Sequence, residues 1–171
     1  MEANPRPPAL VAVDTNVLLD LADELEDVTD AVGVMRRRLR PLQFLMSPTV
    51  EEELAHEVLH GNDFTEKERA SSAFALARRW NIHLARLLDG QHQTARAMGR
   101  RLRAVGLLPE AEVNDGLIVA ETALLGSALL LTSDEHLRGM DFERLTFELR
   151  AFRCAAPVIA TPREIARKFF Q

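Results

Sequence analysis

One stretch near the start of the chain, residues 10–23, constrains the fold most, because the spacing of its apolar residues changes within it. The apolar run up to Val13 is unbroken, as in a buried parallel strand. After Asp14 the apolar residues, beginning with Val17 and Leu21, recur at helical intervals. The chain therefore changes from strand to helix around Asp14. Ligands bind at the carboxyl ends of strands in open α/β sheets, so this acid is a candidate site residue.

Short apolar runs and helical patterns alternate along the rest of the chain. Further strands are predicted over 43–47, 128–134 and 157–160. The predicted helices are one capped by Thr29 or Asp30 and closed by Pro41, then 48–60, 65–88, 95–105, 112–125 and a last one opened by Thr161. The periodicity of 135–155 is poor and leaves helix and strand open. The alternation predicts an α/β protein with a parallel sheet covered on both faces.

Length and composition predict a single domain. The chain has 171 residues, 47% of them apolar, and a domain typically has about 100 to 150 residues. We expect an extended lead-in over 1–8 and one domain over 9–171, with a helical stretch at about 64–106. No apolar run approaches the roughly 20 residues that span a bilayer, and the start lacks a signal peptide, so we expect a soluble, cytoplasmic protein without a membrane partner.

Charge and cysteine usage narrow the classes of function. The single cysteine, Cys154, excludes an internal disulfide framework and any site built from several cysteines. The net charge of −5 does not by itself favour nucleic-acid binding. Arginines cluster at 36–40, 78–79 and 96–103, and we interpret these clusters as solvated helix faces. A basic surface around an acidic pocket stays open as an alternative.

Acidic residues follow several of the predicted elements in a way that would bring them together. Asp14 and Asp134 each end a strand, the acids 51–53 begin the helix after the second strand, and Asp115 is near the start of another helix. Neighbouring strands would bring these carboxylates to one cleft, where they repel unless a divalent cation binds them. Ligands that are all oxygen favour magnesium or manganese over zinc or copper.

The motifs DTNVLLDL, SPTVEEEL, NDGLIVAETA, LLLTSDEHL and VIATPREI occur in the order and context of a PIN domain. The chain resembles that family over nearly its whole length. The resemblance implies a three-layer α/β/α fold with a central parallel sheet, and a ribonuclease dependent on Mg²⁺ or Mn²⁺. It implies that an acidic quartet supplies both the catalytic residues and the metal ligands, namely Asp14, Glu53, Asp115 and Asp134.

The resemblance also implies partners and supporting residues. Asn16 and Thr132 or Ser133 match the polar residues that surround the quartet, and Glu112, one helical turn before Asp115, is a possible extra metal contact, as is the nearby Glu110. Hydrolysis of RNA phosphodiester bonds would leave a 5′-phosphate and a 3′-hydroxyl. A homodimer is expected. The smallest members of the family are toxins of toxin–antitoxin pairs, and whether an antitoxin accompanies this chain stays open.

Three alternative functions compete with the nuclease. The segment His56-Glu57-Val58-Leu59-His60 matches the HExxH motif of zinc metallopeptidases, although no third ligand follows at a familiar spacing. A haloacid-dehalogenase-like phosphatase would need a second aspartate where Asn16 stands. A catalytically inert PIN-like RNA-binding or scaffold module would keep the acids as solvated residues. We interpret the other histidines and the tryptophan as surface or packing residues: His83, His92, His136 and Trp80.

Overall fold

The computed structural model describes residues 7–169 of the chain, and most of the expected lead-in lies outside these residues. The strands are β1 (Ala9–Val13), β2 (Leu42–Met46), β3 (Ile82–Leu84), β4 (Leu129–Leu131) and β5 (Val158–Ala160). The helices are α1 (Thr15–Ala22), α2 (Glu26–Arg38), α3 (Pro48–His60), α4 (Phe64–Arg79), α5 (Gln91–Ala104), α6 (Val113–Leu124), α7 (Glu135–Arg138), α8 (Phe142–Arg150) and α9 (Pro162–Phe169).

The strands form one parallel sheet in the order β3-β2-β1-β4-β5. The central strand β1 pairs with β2 and β4 in a register that aligns Val13 with Met46 and Leu131. The residues that follow these strand ends therefore lie along one edge of the sheet. Asp14 is the first residue after β1 at this edge, and its backbone N–H donates to the carbonyl of Leu131 at 3.0 Å.

Helices cover both faces of the sheet, so the expected three-layer α/β/α fold is confirmed. The strands are apolar on both faces for this reason, and the side chains of Leu130 and Leu131 are fully buried. Thr161 and Glu164 form the predicted capping box of the last helix, with hydrogen bonds of 2.9 and 3.1 Å. Within residues 7–169, no helix is both long enough and apolar enough to cross a membrane.

The long helix predicted over 65–88 is wrong beyond Arg79. Helix α4 ends at Arg79, and the expected helical stretch at 64–106 is interrupted by the strand β3, which pairs with β2. Asn81 adopts a φ of 51°, a left-handed conformation that ends helices and that asparagine tolerates better than most residues. The apolar residues beyond it continue the helical spacing by coincidence: Leu84 and Leu87 pack from a strand and a loop, and Leu88 is exposed.

Two other boundaries differ from the sequence-based expectation. Helix α2 begins at Glu26, three residues before the earlier of the two predicted caps, and Leu25 at its N-cap makes no side-chain capping bond. The open segment 135–155 contains the two short helices α7 and α8, capped by the side chains of Asp134 and Asp141. Each capping aspartate marks the start of a helix, although the apolar residues that follow it lack a clear helical spacing.

Candidate active site

A cavity of about 620 Å³ opens at the carboxyl edge of the sheet. Its walls contain all four acids that the sequence predicts as a quartet. They come from four places in the fold: the end of β1, the second turn of α3, the first turn of α6, and the residue before α7. The acids are Asp14, Glu53, Asp115 and Asp134. The fold therefore brings together carboxylates that are separated by up to 120 positions in the chain.

Asp14 is the most deeply buried of these acids, with 3% of its surface exposed. Its carboxylate accepts hydrogen bonds from the backbone N–H of Thr15 at 2.8 Å and from the hydroxyl of Thr132 at 2.7 Å. Burial is the main cause that raises the pKa of Asp14 to about 6; the charges of Glu53 and Asp134 contribute to this rise, and the two hydrogen bonds oppose it. The carboxylate is thus fixed in position but ionises reluctantly.

Glu53 is held from two directions by residues that the sequence analysis did not single out. The hydroxyl of Thr15 donates a short hydrogen bond to its Oε2, and the side-chain amide of Asn114 donates to its Oε1 at 2.7 Å. Glu52 also lines the cavity and Glu51 does not, and Glu53 is the member of the acidic run that these two hydrogen bonds hold in place. Thr15 and Asn114 adjoin Asp14 and Asp115 in sequence, and that adjacency was the available signal.

Asp115 is the acid with the least support from its surroundings. Its Oδ2 atom is buried and has no hydrogen-bond partner among the described residues. Burial raises its pKa to about 7, and the charges of Asp134, Asp14, Glu112 and Glu53 add to this effect. A buried carboxylate oxygen without a partner is unfavourable unless a cation or a proton satisfies it.

Thr132 links Asp14 to Asp134. While it donates to Asp14, its oxygen accepts the backbone N–H of Asp134 at 2.9 Å. Asp134 in turn caps α7 by accepting the N–H of His136 at 2.7 Å. The hydroxyl of Ser133, the alternative to Thr132, donates to Asp20 at 3.0 Å, and Ser133 does not line the acidic cavity.

A buried hydrogen-bonded pair beneath the cavity joins the two helices that carry Glu53 and Asp115. The carboxylate of Glu121 on α6 is 4% exposed and accepts from the backbone N–H of Thr49 at 3.0 Å and from its hydroxyl at 2.8 Å. Thr49 lies in the first turn of α3, where backbone N–H groups lack partners within the helix. The spacing of Thr49 and Glu52 predicts a capping box, but the partner of Thr49 is Glu121.

The rim of the cavity contains further polar residues. Asn16 is exposed on its wall. Glu112 lies at the N-cap position of α6. Nδ1 of His136 lies 3.6 Å from Oε1 of Glu112 and 3.8 Å from Oδ1 of Asp134. His136 is thus a surface residue, as expected, but it faces the acids.

The two histidines of the HExxH segment lie on one face of α3, with ring centroids 4.8 Å apart, and His56 lines the cavity. Within residues 7–169, no third histidine, cysteine or acid comes close enough to both rings to complete a metal site. Among the described residues, the group of three side chains that could hold a metal ion consists of Glu112, Asp115 and His136, whose ligand atoms all lie within 4.8 Å of one another.

Two of the arginine clusters contain an arginine that contacts other side chains of the protein. Arg36 stacks on the rings of Phe44 and Trp80, at 5.6 and 5.2 Å from their centroids, and Arg101 pairs with Glu148 at 2.7 Å. Other arginines lie on the wall of a second cavity of about 560 Å³. Its charged lining is mixed, with three arginines, Arg138, Arg163 and Arg167, and four acids, Asp20, Glu26, Asp27 and Glu164.

No family model and no curated protein matches the chain. Solved structures do match it. VapBC2 from Rickettsia felis, bound to a DNA fragment from its promoter, aligns with a TM-score of 0.60 at 12% identity, over 89% of this chain and 98% of that one. VapBC-1 from nontypeable Haemophilus influenzae aligns with a TM-score of 0.57 at 14% identity, over 90% and 98%.

A third similar structure is VapBC-5 from Mycobacterium tuberculosis, a member of the VapBC family of toxin–antitoxin systems. It aligns with a TM-score of 0.52 at 15% identity, over 90% of this chain and 98% of that one. At these identities the likeness concerns the fold. The chain has the PIN-domain fold, as its motifs predicted.

Proposed function

We propose that this protein is a metal-dependent endoribonuclease whose active site is the acidic cavity. The observation that carries the proposal is the convergence of Asp14, Glu53, Asp115 and Asp134 from four elements, with Oδ2 of Asp115 buried and unpartnered. Carboxylates that stay ionised in such a group need a cation, and oxygen donors suit Mg²⁺ or Mn²⁺. The donor set therefore fits the metal that the PIN-domain resemblance implies.

Each acid would serve as a metal ligand, and the surrounding polar groups would hold the ligands in position. Thr132 fixes the carboxylate of Asp14 and the backbone of Asp134, while Thr15 and Asn114 fix Glu53. When bound, the metal supplies an activated water near neutral pH and charge stabilisation for the leaving oxygen. The arrangement leaves Asp115 as the carboxylate that gains most from a cation, because its buried oxygen has no other partner.

Arginines of the second cavity would hold the RNA strand. Ser133 on its wall directly precedes Asp134 of the acidic cavity in the chain. Arg163 and Arg167 on that wall would contact backbone phosphates, as arginines do in nucleic-acid complexes, whereas Arg138 pairs with Glu164 at 3.1 Å. An antitoxin partner, as in the VapBC systems, and a homodimer are further proposals from the resemblance.

The nuclease proposal is tested with single-stranded RNA in the presence of Mn²⁺ or Mg²⁺. The full chain should cleave the RNA to products with 5′-phosphate ends. Asp14→Asn and Asp115→Asn should each lower the rate by at least about 100-fold, since even residues that only support metal ligands contribute about 10- to 100-fold.

Glu51→Gln is the matched control, because Glu51 belongs to the same acidic run as Glu53 but does not line the cavity. It should keep the rate of the unmodified chain. Cleavage that persists in Asp14→Asn and Asp115→Asn would overturn the proposal. RNA binding without cleavage under any metal condition would favour the inert binding module.

A further inference from the structure

Three side chains of mixed chemistry converge at one end of the acidic cavity. Carboxylate oxygens of Glu112 and Asp115 and a ring nitrogen of His136 all lie within 4.8 Å of one another. Glu112 and Asp115 are three residues apart at the start of α6, and His136 comes from α7, after β4. The quartet predicted from sequence is made of oxygen donors alone, so the nitrogen donor is a separate feature of this chain.

The spacing of these atoms differs from that of a hydrogen bond. Nδ1 of His136 lies 3.6 Å from Oε1 of Glu112 and 3.8 Å from Oδ1 of Asp134, whereas hydrogen bonds between nitrogen and oxygen are about 2.7 to 3.2 Å long. Two ligand atoms that are each roughly 2.1 Å from one ion are about 3 to 4 Å apart. The separation of His136 and Glu112 is therefore in the range of two ligands of a common ion, and a ligand atom of Asp115 lies within 4.8 Å of both.

Asp115 supplies an independent reason for a ligand at this point. Its Oδ2 atom is buried and has no partner among the described residues, although the rest of the side chain reaches the cavity. His136 and Glu112 are partly exposed, with 52% and 36% of their side-chain surfaces accessible, so an ion can enter from solvent on their side. Asp115 is thus both a member of this group and a carboxylate that a cation would stabilise.

We propose that Glu112, Asp115 and His136 form a mixed oxygen–nitrogen cation site at the rim of the cavity, and that His136 makes the protein prefer Mn²⁺ to Mg²⁺. The inference rests on the proposed function, because it takes the cavity to be a cation site and shares Asp115 with the quartet. Imidazole nitrogen suits transition metals, whereas Mg²⁺ prefers oxygen ligands and keeps its waters. A quartet of carboxylates alone would discriminate much less between the two ions.

The test measures metal binding by the metal-free full chain rather than RNA cleavage. Electron paramagnetic resonance of free Mn²⁺ gives the affinity, and pulsed measurements on bound Mn²⁺ detect a coordinated imidazole nitrogen. The unmodified chain should show the nitrogen signal. His136→Ala should lose it and bind Mn²⁺ about tenfold or more weakly, while its calorimetric Mg²⁺ affinity changes less than about twofold.

His92→Ala is the matched control, because His92 is an exposed histidine in the first turn of α5 and does not line the cavity. It should keep both the nitrogen signal and the affinities. A nitrogen signal that is absent from the unmodified chain, or that survives in His136→Ala, overturns the inference. A signal that disappears instead in His56→Ala overturns it as well, because the ligand would then be the histidine on the opposite wall.

The outcomes separate this inference from the nuclease proposal. RNA cleavage that depends on Asp14, together with bound Mn²⁺ that lacks a nitrogen ligand, leaves the nuclease standing and rejects the role of His136. A nitrogen signal that depends on His136, together with cleavage insensitive to Asp14→Asn, supports the cation site and rejects the nuclease.

Discussion

Among the four acids, Asp115 has a raised pKa, and the effect of that pKa on stability can be measured without substrate. Burial and the four neighbouring carboxylates raise its pKa to about 7 from 3.8. Below its usual pKa of 3.8 this group is mostly protonated in the folded and unfolded chain alike. Between about pH 4 and 7 the unfolded chain ionises it while the folded chain keeps the proton, so the folded chain loses stability as the pH rises, and the loss is complete above about pH 7.

Asp115→Asn should therefore melt at a higher temperature than the unmodified chain at pH 8 in the absence of divalent cations, and the difference should vanish near pH 4. Asp115 is partly exposed, so we discount the effect for solvent screening to about 1 kcal/mol, which corresponds to about 2 to 4 °C. Thermal unfolding from pH 4 to 8 in a chelator measures it. Asp89→Asn, an exposed acid outside the cavity, should show no such pH-dependent difference.

Single residues also show which features of the site the local sequence predicts. Positions after strands and at helix starts predict Asp14, Asp115 and Asp134, whereas Glu53 was selected from the acids 51–53 by the motif resemblance. The bonds that hold these acids could not be predicted, because they join residues far apart in the chain: Thr15 to Glu53, Asn114 to Glu53, and Thr132 to Asp14. Which donor meets which carboxylate depends on how the helices sit on the sheet.

At the scale of elements, the position of Asp115 depends on the close packing of α5 against α6. Gly99 on α5 and Gly116 on α6 face each other, and a Cβ atom added to Gly99 would lie 3.0 Å from the backbone carbonyl carbon of Gly116. Backbone atoms cannot move aside as the end of a flexible side chain can. The two glycines therefore allow a separation between the helices that any side chain would increase.

Gly99→Ala should destabilise the protein by about 1 to 3 kcal/mol in urea unfolding, because the helices must move apart. Gly33→Ala on α2 is the matched control: its Cβ would meet only the end of the Arg37 side chain, at 3.4 Å. That substitution should stabilise the protein by about 0.5 to 1 kcal/mol, since glycine within a helix is unfavourable. Equal stability of Gly99→Ala and the unmodified chain would contradict the packing argument.

For the whole molecule, binding of a cation to the folded state alone must raise the free energy of unfolding. Mn²⁺ at about 100 times its dissociation constant adds about 2.7 kcal/mol, which should raise the melting temperature by about 5 to 10 °C. Asp14→Asn and Asp115→Asn should lose most of this increase, and Glu51→Gln should keep it.

Sodium chloride at the same ionic strength is the control for screening of the repulsion between the acids. It should produce a much smaller shift. A melting temperature that Mn²⁺ leaves unchanged would show that the cavity does not bind the ion.

The order of apolar patterns along the chain was enough to predict the α/β class of fold, and Asp14 and Asp134 could be predicted at the carboxyl edge of the sheet because each follows a strand. Alternating strand and helix patterns lead to a covered parallel sheet, and an acid that follows a strand is placed at its carboxyl edge. Tertiary structure decided the rest. The apolar residues after Arg79 have helical spacing, but the segment contains the strand β3. The left-handed conformation of Asn81 ends the helix, and hydrogen bonds to β2 then favour a strand over the local periodicity. Likewise, His136 has no ligand spacing in sequence, and only the approach of α7 to α6 brings its nitrogen to Glu112 and Asp115.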